Sequence, residues 1–289
     1  MLFPLVCPVC QNLLSPHNEG FVCAAHGLYA RSTHGFIRFL GDEEDYFSGH
    51  WSKNQMEALP PSKLTVGKRF LEPMLQRISH GHVLDIGTGD GVHLSYLEHA
   101  APQLECIGLD ISESALATCA RRVKTATLLQ ADAQRIPLPH ASVDAAFSYG
   151  VLAYVPDPWQ GLAEMVRVTK PNGLVGLWLY PKSTTLMGRL FTAVRFLVPR
   201  LSRFWQARVA DVIVPFLRVL PTASGMHLGN ADWAACREVV LVNIAPPHLM
   251  FPTREEVIAQ LHLLGCTVIA EEKNAPITLW AIKETTPCA

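Results

Sequence analysis

Between residues 81 and 180 the apolar positions come in short runs, each ending on a polar or acidic residue and followed by a helical stretch. The first run closes on Asp85 and opens into a turn bearing Gly87, Gly89 and Gly91. The second, Cys106–Leu109, ends on Asp110, and the third, Thr127–Ala131, on Asp132 and Ala133. A fourth begins at Val143 and passes Ser148 and Tyr149. After a helix carrying Glu164 and Arg167 and a Lys170–Gly173 turn, a fifth runs from Leu174 to Tyr180. Short runs alternating with helical segments predict an α/β chain with a doubly wound, mostly parallel sheet. Beyond it, Thr253 with Glu256 three positions on forms a capping box for a last helix reaching Gly265. Val268–Glu271 and Ile277–Ile282 read as a closing antiparallel pair.

Composition narrows the class. The 289 residues are 49% hydrophobic and 17% charged, with a formal net charge of −1, a pI near 6.9 and a mean hydropathy of +0.19. A chain gripping long nucleic acid by its phosphates carries a basic surplus that is missing here, and an acidic disordered tail is excluded. No run reaches the roughly 18–20 apolar residues of a membrane-spanning helix. The N-terminus lacks a basic n-region and meets a cysteine pair within ten residues, so no export signal is expected. The eight cysteines then read as reduced thiols or metal ligands, and the location as cytoplasmic.

Four metal-competent side chains cluster near the start: Cys7 and Cys10 as C-x2-C, then Cys23 and His26. Two thiolates from one tight turn and a second knuckle of sulfur and imidazole can close a tetrahedron with no open position, the set for structural Zn²⁺. Some forty residues are too few for a core of their own, and a metal staple explains how they fold. Cys-Pro-x-Cys, Cys-x-x-His-Gly-x-Tyr29 and Gly35–Leu40 together resemble the zinc ribbon that precedes a family of bacterial methyltransferases. One branch of that family comprises 23S rRNA guanine-N1 methyltransferases. His26 stands where many related ribbons have a fourth cysteine.

The glycine turn fails the dinucleotide fingerprint, because Val92 occupies the place of its last glycine. Asp-x-Gly-x-Gly-x-Gly instead resembles motif I of class I S-adenosylmethionine-dependent methyltransferases, whose "E-x-x-R-x-x-K-P-G-G" turn is matched by Glu164 to Gly173 with Asn172 replacing the first glycine. Asp110, at the end of a second strand, can accept both hydroxyl hydrogens of a ribose. The resemblance implies Asp132 and the Ala133 backbone against the adenine, and Asp85, Gly87, Thr88, Gly89, Gly91, Ile111 and Ser148 around the rest of S-adenosylmethionine. The expected architecture is a zinc ribbon over 1–41, a helical cap over 42–80 that includes Tyr46–Trp51, and a Rossmann-like seven-stranded methyltransferase sheet over 81–289.

A helical insertion at 182–222 interrupts that last unit. Lys182, Arg189, Arg195, Arg200, Arg203, Arg208 and Arg218 face one acid, Asp211, a surplus of six that leaves the remainder at −7. Three readings stay open: a lid with solvated arginines, a basic apolar surface for peripheral membrane contact or a lipid-linked acceptor, and an RNA-facing surface. His248, Tyr154 and Tyr149 are the acceptor-side candidates, with His248 as base or orienter. The expected activity is methyl transfer by in-line displacement to a small-molecule, natural-product or lipid- or glycan-precursor acceptor. The alternative is rRNA base methylation. A non-enzymatic binding module is the third class, opposed by the intact Asp85, Asp110 and motif glycines.

Overall fold

A computed structural model describes residues 3–18, 20–33, 35–39, 61–180, 194–219, 232–246, 248–272 and 276–285. The Tyr46–Trp51 stretch and Lys182 and Arg189 of the insertion lie outside them. The expected seven strands are present as β5 (Gly81–Ile86), β6 (Leu104–Asp110), β7 (Thr127–Gln130), β8 (Val143–Tyr149), β9 (Thr169–Leu179), β10 (Cys266–Glu271) and β11 (Ile277–Lys283), in the order β7-β6-β5-β8-β9-β11-β10. The first five run parallel and β11 enters antiparallel to β9. Burial on both faces explains the unbroken apolar runs of β5 and β6. The central crossover helices are α2 (Val92–Ala100), α3 (Glu113–Arg122) and α4 (Pro158–Val168).

The sheet does not stop at seven. The ribbon strands β1 (Ser15–His17), β2 (Gly20–Cys23), β3 (Gly27–Thr33) and β4 (Phe36–Arg38) continue it to eleven. Strand β4 lies parallel to β7, pairing Ile37 with Leu129 and Arg38 with Gln130. The Phe39 amide adds a bond to the Gln130 carbonyl at 2.9 Å, and Val6 donates to the Pro137 carbonyl at 3.1 Å. Without them β7 would present a row of open amides and carbonyls over the buried Leu128 and Leu129. Ribbon residues Leu5, Leu14, Phe36 and Ile37 accordingly belong to the same hydrophobic core as the main sheet.

The motif after β8 has a structural job. Glu164 accepts the Ile136 amide at 2.9 Å, while Arg167 pairs with Glu164 at 2.6 Å and donates to the Ile136 and Leu138 carbonyls. Lys170 reaches Asp144, which also accepts the His82 amide. The Lys170–Gly173 turn lies inside β9 as a shift of register against β8, with Asn172 left-handed at φ 63. Helix α1 (Pro61–Leu75) is tied to β11 by the buried Trp280 indole, which donates to the Phe70 carbonyl at 2.7 Å. Gly176 is paired opposite Trp280, and a Cβ there would lie 2.6 Å from its ring.

The helical excursion continues past the expected limit at 222. Helix α5 (Arg203–Val219) packs on α6 (Trp233–Ile244), forming a separate small core of Val198, Ala210, Val214, Cys236, Val240 and Ile244. The chain returns along a loop whose Met250 amide bonds the Ala153 carbonyl, then enters α7 (Arg254–Leu263) through the expected Thr253–Glu256 capping box. Among the described residues no helix is long and apolar enough to cross a membrane, and the described cysteines form no disulfide.

Candidate cofactor and acceptor site

The turn between β5 and α2 is held from below. Gly87 and Thr88 donate backbone bonds to the Leu109 carbonyl at 2.7 and 3.0 Å, locking the turn onto β6. Gly87, Gly89 and Gly91 are all left-handed, with φ of 76, 55 and 75. At Gly87 a Cβ would also fall 2.2 Å from Val151, so no larger residue fits between this turn and the end of β8. Asp110 braces the loop from the neighbouring strand: one carboxylate oxygen accepts the Gly89 amide at 2.8 Å, the other the Ser112 amide at 2.9 Å. Ile111 stands beside it, 48% exposed, an apolar surface open at the strand end.

Asp85 is fully buried beneath the turn. Thr88 donates its hydroxyl to one carboxylate oxygen at 3.1 Å, and the other, Oδ1, has no hydrogen-bond partner. Burial pushes this carboxyl up to about 8 despite the Thr88 bond, with the charges of Asp110 and Asp90 adding to the rise. Asp90 itself pairs with Arg122 at 3.0 Å. A glycine turn flanked by three buried carboxylates, one carrying an unfilled acceptor, suits a ligand that brings positive charge. S-adenosylmethionine, with its ammonium and sulfonium, fits this donor set.

The unusual carboxyl has a measurable consequence. Between about pH 4 and 8 an unfolded chain has released the Asp85 proton while the folded chain retains it, so stability falls as pH rises through that span. His93, in the first turn of α2, acts in the opposite sense. Burial pushes its imidazole from 6.5 down to about 4, so stability rises with pH over that lower interval. The imidazole opposes Asp85 below pH 6.5, and above about pH 6 the Cys23 thiol, brought down to about 6 from its ordinary 9.0, opposes it in turn. In urea titrations of cofactor-free protein from pH 6.5 to 8, Asp85→Asn is therefore expected to give a more positive slope of stability against pH than the wild type. An identical slope in the variant refutes the assignment.

The remaining sequence-derived positions are held differently. Ser148 is buried at the end of β8 with its hydroxyl donated to the Ile86 carbonyl at 3.0 Å, fastening β8 to β5. Asp132 accepts the Gln134 backbone amide at 2.9 Å, and its two oxygens also receive the Gln134 side-chain amide at 3.1 Å. Buried Ala133 follows it.

Among the acceptor-side candidates, the ring of Tyr149 stacks on Trp178 at 4.5 Å and 14°, and Trp178 meets Tyr180 edge-on at 4.6 Å. His93 lies 4.8 Å from the Tyr149 ring and Phe70 5.3 Å from it. Burial raises the Tyr149 hydroxyl far above the phenol range, helped by Tyr180 and Glu272, which suits it to donating a hydrogen bond and not to accepting a proton at neutral pH. Arg195 lies over Phe251 at 4.7 Å. Burial lowers its affinity for a proton, while the nearby Tyr154 and Tyr180 hydroxyls act in the opposite direction. His248 is exposed, two residues before the Met250–Ala153 bond that brings its loop against Tyr154. Sequence reasoning passed over His93, Trp178 and Phe251 as site residues and counted Arg195 only among the basic residues of the insertion. A rising aromatic content where β8 and β9 end was the available signal.

At the N-terminus, Cys7, Cys10, Cys23 and His26 place all four donor atoms within 4.8 Å of one another. His26 Nδ1 is 3.5 Å from Cys7 Sγ and 3.4 Å from Cys23 Sγ, and the Cys10 and Cys23 sulfurs are 3.6 Å apart. Burial opposes ionisation of Cys23, but bonds from His26 and neighbouring amides outweigh it and bring the thiol down to about 6.

Known proteins agree with this geometry. Residues 84–177 match the methyltransferase domain family model. Demethylmenaquinone methyltransferase of Deinococcus radiodurans is 38% identical over 117 residues, covering 38% of this chain and 47% of that one. The chloroplastic 2-methyl-6-phytyl-1,4-hydroquinone methyltransferase of Spinacia oleracea is 32% identical over 174 residues, covering 57% and 46%. The chain thus spans about half the length of these relatives. In the complex of the Haloferax volcanii Trm112 methyltransferase activator with a methyltransferase, one chain superposes with a TM-score of 0.54 at 14% identity, over 84% of this chain and all of that one. Strand order, glycine turn and matched segment together make this an α/β chain with the Rossmann-like fold of the class I methyltransferases.

Proposed function

We propose that this chain is an S-adenosylmethionine-dependent methyltransferase whose acceptor is a small, planar aromatic molecule. The observation that carries the acceptor class is the aromatic shelf of Tyr149, Trp178 and Tyr180 at the ends of β8 and β9, beside the glycine turn. A flat ring lies favourably against such stacked faces, and Arg195 supplies a cation near Tyr180 for a phenolic or enolic oxygen. The relatives named for quinone and hydroquinone methylation agree with that class.

The cofactor supplies an electrophilic methyl group on a sulfonium. The chain's own contribution is alignment and exclusion of water. Asp110 takes the ribose hydroxyls, Asp85 Oδ1 takes the ammonium, Ile111 and Ala133 flank the adenine, and Asp132 accepts from its amino group. Gly87, Gly89 and Gly91 let the backbone approach. Tyr149 orients the acceptor by donating its hydroxyl hydrogen. Tyr154 lies beside Arg195 at the same mouth, and His248 is the candidate base for an acceptor hydroxyl.

The four N-terminal donors are assigned to structural zinc. Ideal tetrahedral bond lengths put sulfurs about 3.8 Å apart and sulfur and nitrogen about 3.6 Å apart, close to the 3.6 Å and 3.4–3.5 Å found here. Four protein ligands leave no place for a reactive water, so the metal holds the ribbon and takes no part in methyl transfer.

The direct test supplies purified protein with methyl-labelled S-adenosylmethionine and, in parallel, reduced menaquinone precursors, simple hydroquinones and bulk ribosomal RNA. Label extracted into organic solvent with an aromatic acceptor, reduced at least tenfold in Asp85→Ala, is the expected result. Label in RNA alone transfers the assignment to nucleic-acid methylation.

A further inference from the structure

We propose that the segment Val194–Pro215 is a docking surface for an anionic lipid bilayer. Helix α5 is apolar on two opposite sides. Gln206, Ala210 and Val214, at helical spacing, are buried toward α6, where Ala210 and Val214 join its small core. The opposite side carries Phe204, Arg208 and Val212, again four residues apart, with Trp205 alongside. Phe204 and Trp205 are 59% and 58% exposed, and Val212 68%. The preceding turn adds Phe196, Leu197 and Leu201, all exposed. A single exposed leucine is ordinary; six large apolar side chains within seventeen residues of one surface segment mark an interaction site.

Charge selects the occupant. The segment holds four arginines and one acid, Asp211, in a chain whose net charge is −1. Asp211 is engaged by Arg237 at 2.7 Å, by the Trp233 indole at 2.8 Å and, within the segment, by Arg208 at 3.8 Å, so a single acid shared among these groups leaves most of the surplus in place. Arg200 lies over the Phe196 ring at 3.8 Å and Arg208 over Phe204 at 5.2 Å. Cations interleaved with exposed aromatic and aliphatic side chains on a helix lying flat suit the headgroup–acyl boundary, where the rings enter the apolar layer and the guanidinium groups meet phosphates. A nucleic acid would use the arginines and aromatic rings but leave Leu197, Leu201 and Val212 without a role. The segment includes Arg195, which stands at the acceptor mouth just before the first exposed apolar residue, Phe196, so an acceptor with a long apolar tail has a short route from bilayer to site. The surface itself rests on exposure and charge, independently of the acceptor assignment.

The test is co-sedimentation of the full chain with phosphatidylcholine vesicles, with and without phosphatidylglycerol. Binding is expected to the anionic vesicles, to weaken with salt, and to shift Trp fluorescence to the blue. The double variant Phe204→Ala/Trp205→Ala is expected to lose about tenfold in partitioning, and Arg200→Glu/Arg208→Glu to lose the preference for anionic lipid. These positions are exposed, and circular dichroism verifies that the variants fold. Absence of sedimentation, or sedimentation unchanged in both variants, overturns the proposal. So does a dimer that Trp205→Ala dissociates in protein that binds no vesicles, or binding of bulk RNA in place of vesicles. Vesicle binding is read without methyl transfer. Failure on hydroquinones with intact binding therefore rejects the acceptor class alone, and activity on soluble hydroquinones without vesicle binding rejects the docking surface alone.

Discussion

Replacing Asp110 with Ala is expected to weaken S-adenosylmethionine binding by about ten- to a hundredfold in titration calorimetry, the roughly 1.5–3 kcal/mol of a charge-assisted hydrogen bond. The carboxylate sits at the end of β6, 8% exposed, each oxygen occupied on one side by a backbone amide. An ionised oxygen accepts more than one hydrogen bond, so each retains capacity for a ribose hydroxyl. Alanine therefore removes both the ligand contact and the brace under Gly89. Asp110→Asn separates these effects imperfectly, because its NH₂ would face one of the two amides that now donate. Ser112→Ala is the better control: it loses the Ser112 cap on α3 but keeps the carboxylate, and its affinity is expected to stay near wild type. The charge of Asp110 also helps to raise Asp85. In Asp110→Ala, the part of the pH dependence of stability that Asp85→Asn removes should therefore end at lower pH. Unchanged affinity in Asp110→Ala rejects the ribose assignment, whatever happens to stability.

The central sheet was legible because its logic is local. Each strand is a short apolar run ending on a residue of distinctive chemistry, and Asp85, Asp110 and Asp132 all stand at or beside the ends of neighbouring strands. What escaped sequence reasoning depends on partners far away in the chain. Glu164 and Arg167 were recognisable as a pattern, but their hold on Ile136 and Leu138 spans 28 to 31 residues. The Cys7–His26 cluster was readable from a twenty-residue window, whereas the union of these N-terminal strands with the sheet requires Ile37 to find Leu129. His93 looked like an ordinary helical residue until folding placed it against Tyr149. For Ser148 and Asp132, position came from the pattern and the present bonding did not: the Ser148 hydroxyl is donated to Ile86 and the Asp132 carboxylate receives Gln134. The insertion could be read for charge and hydrophobicity. Which of its apolar residues face inward depends on α6 packing against α5, and α6 begins beyond the boundary expected from sequence.

That union of ribbon and sheet determines the expected effect of metal loss. Purified protein is expected to hold one zinc per chain, and Cys10→Ser to lose it along with about 5–10 °C of thermal stability. A metal that merely ordered a detached forty-residue module would leave the main sheet untouched on removal. Here Leu5, Cys7, Leu14, Cys23, Phe36 and Ile37 are part of the common core, and β4 covers the edge of β7. Releasing the knuckles should thus raise amide exchange in β4 and also in β7, most clearly where the Phe39 amide now bonds the Gln130 carbonyl. The bare edge would offer unpaired backbone groups to other chains, so aggregation on warming is expected in the variant and on chelation of the wild type. β5 and the glycine turn lie two strands further in, and S-adenosylmethionine binding should survive at low temperature. Wild-type protein free of zinc in metal analysis rejects the ligand assignment. A zinc-free Cys10→Ser with normal protection in β7 rejects the coupling while leaving the metal site standing.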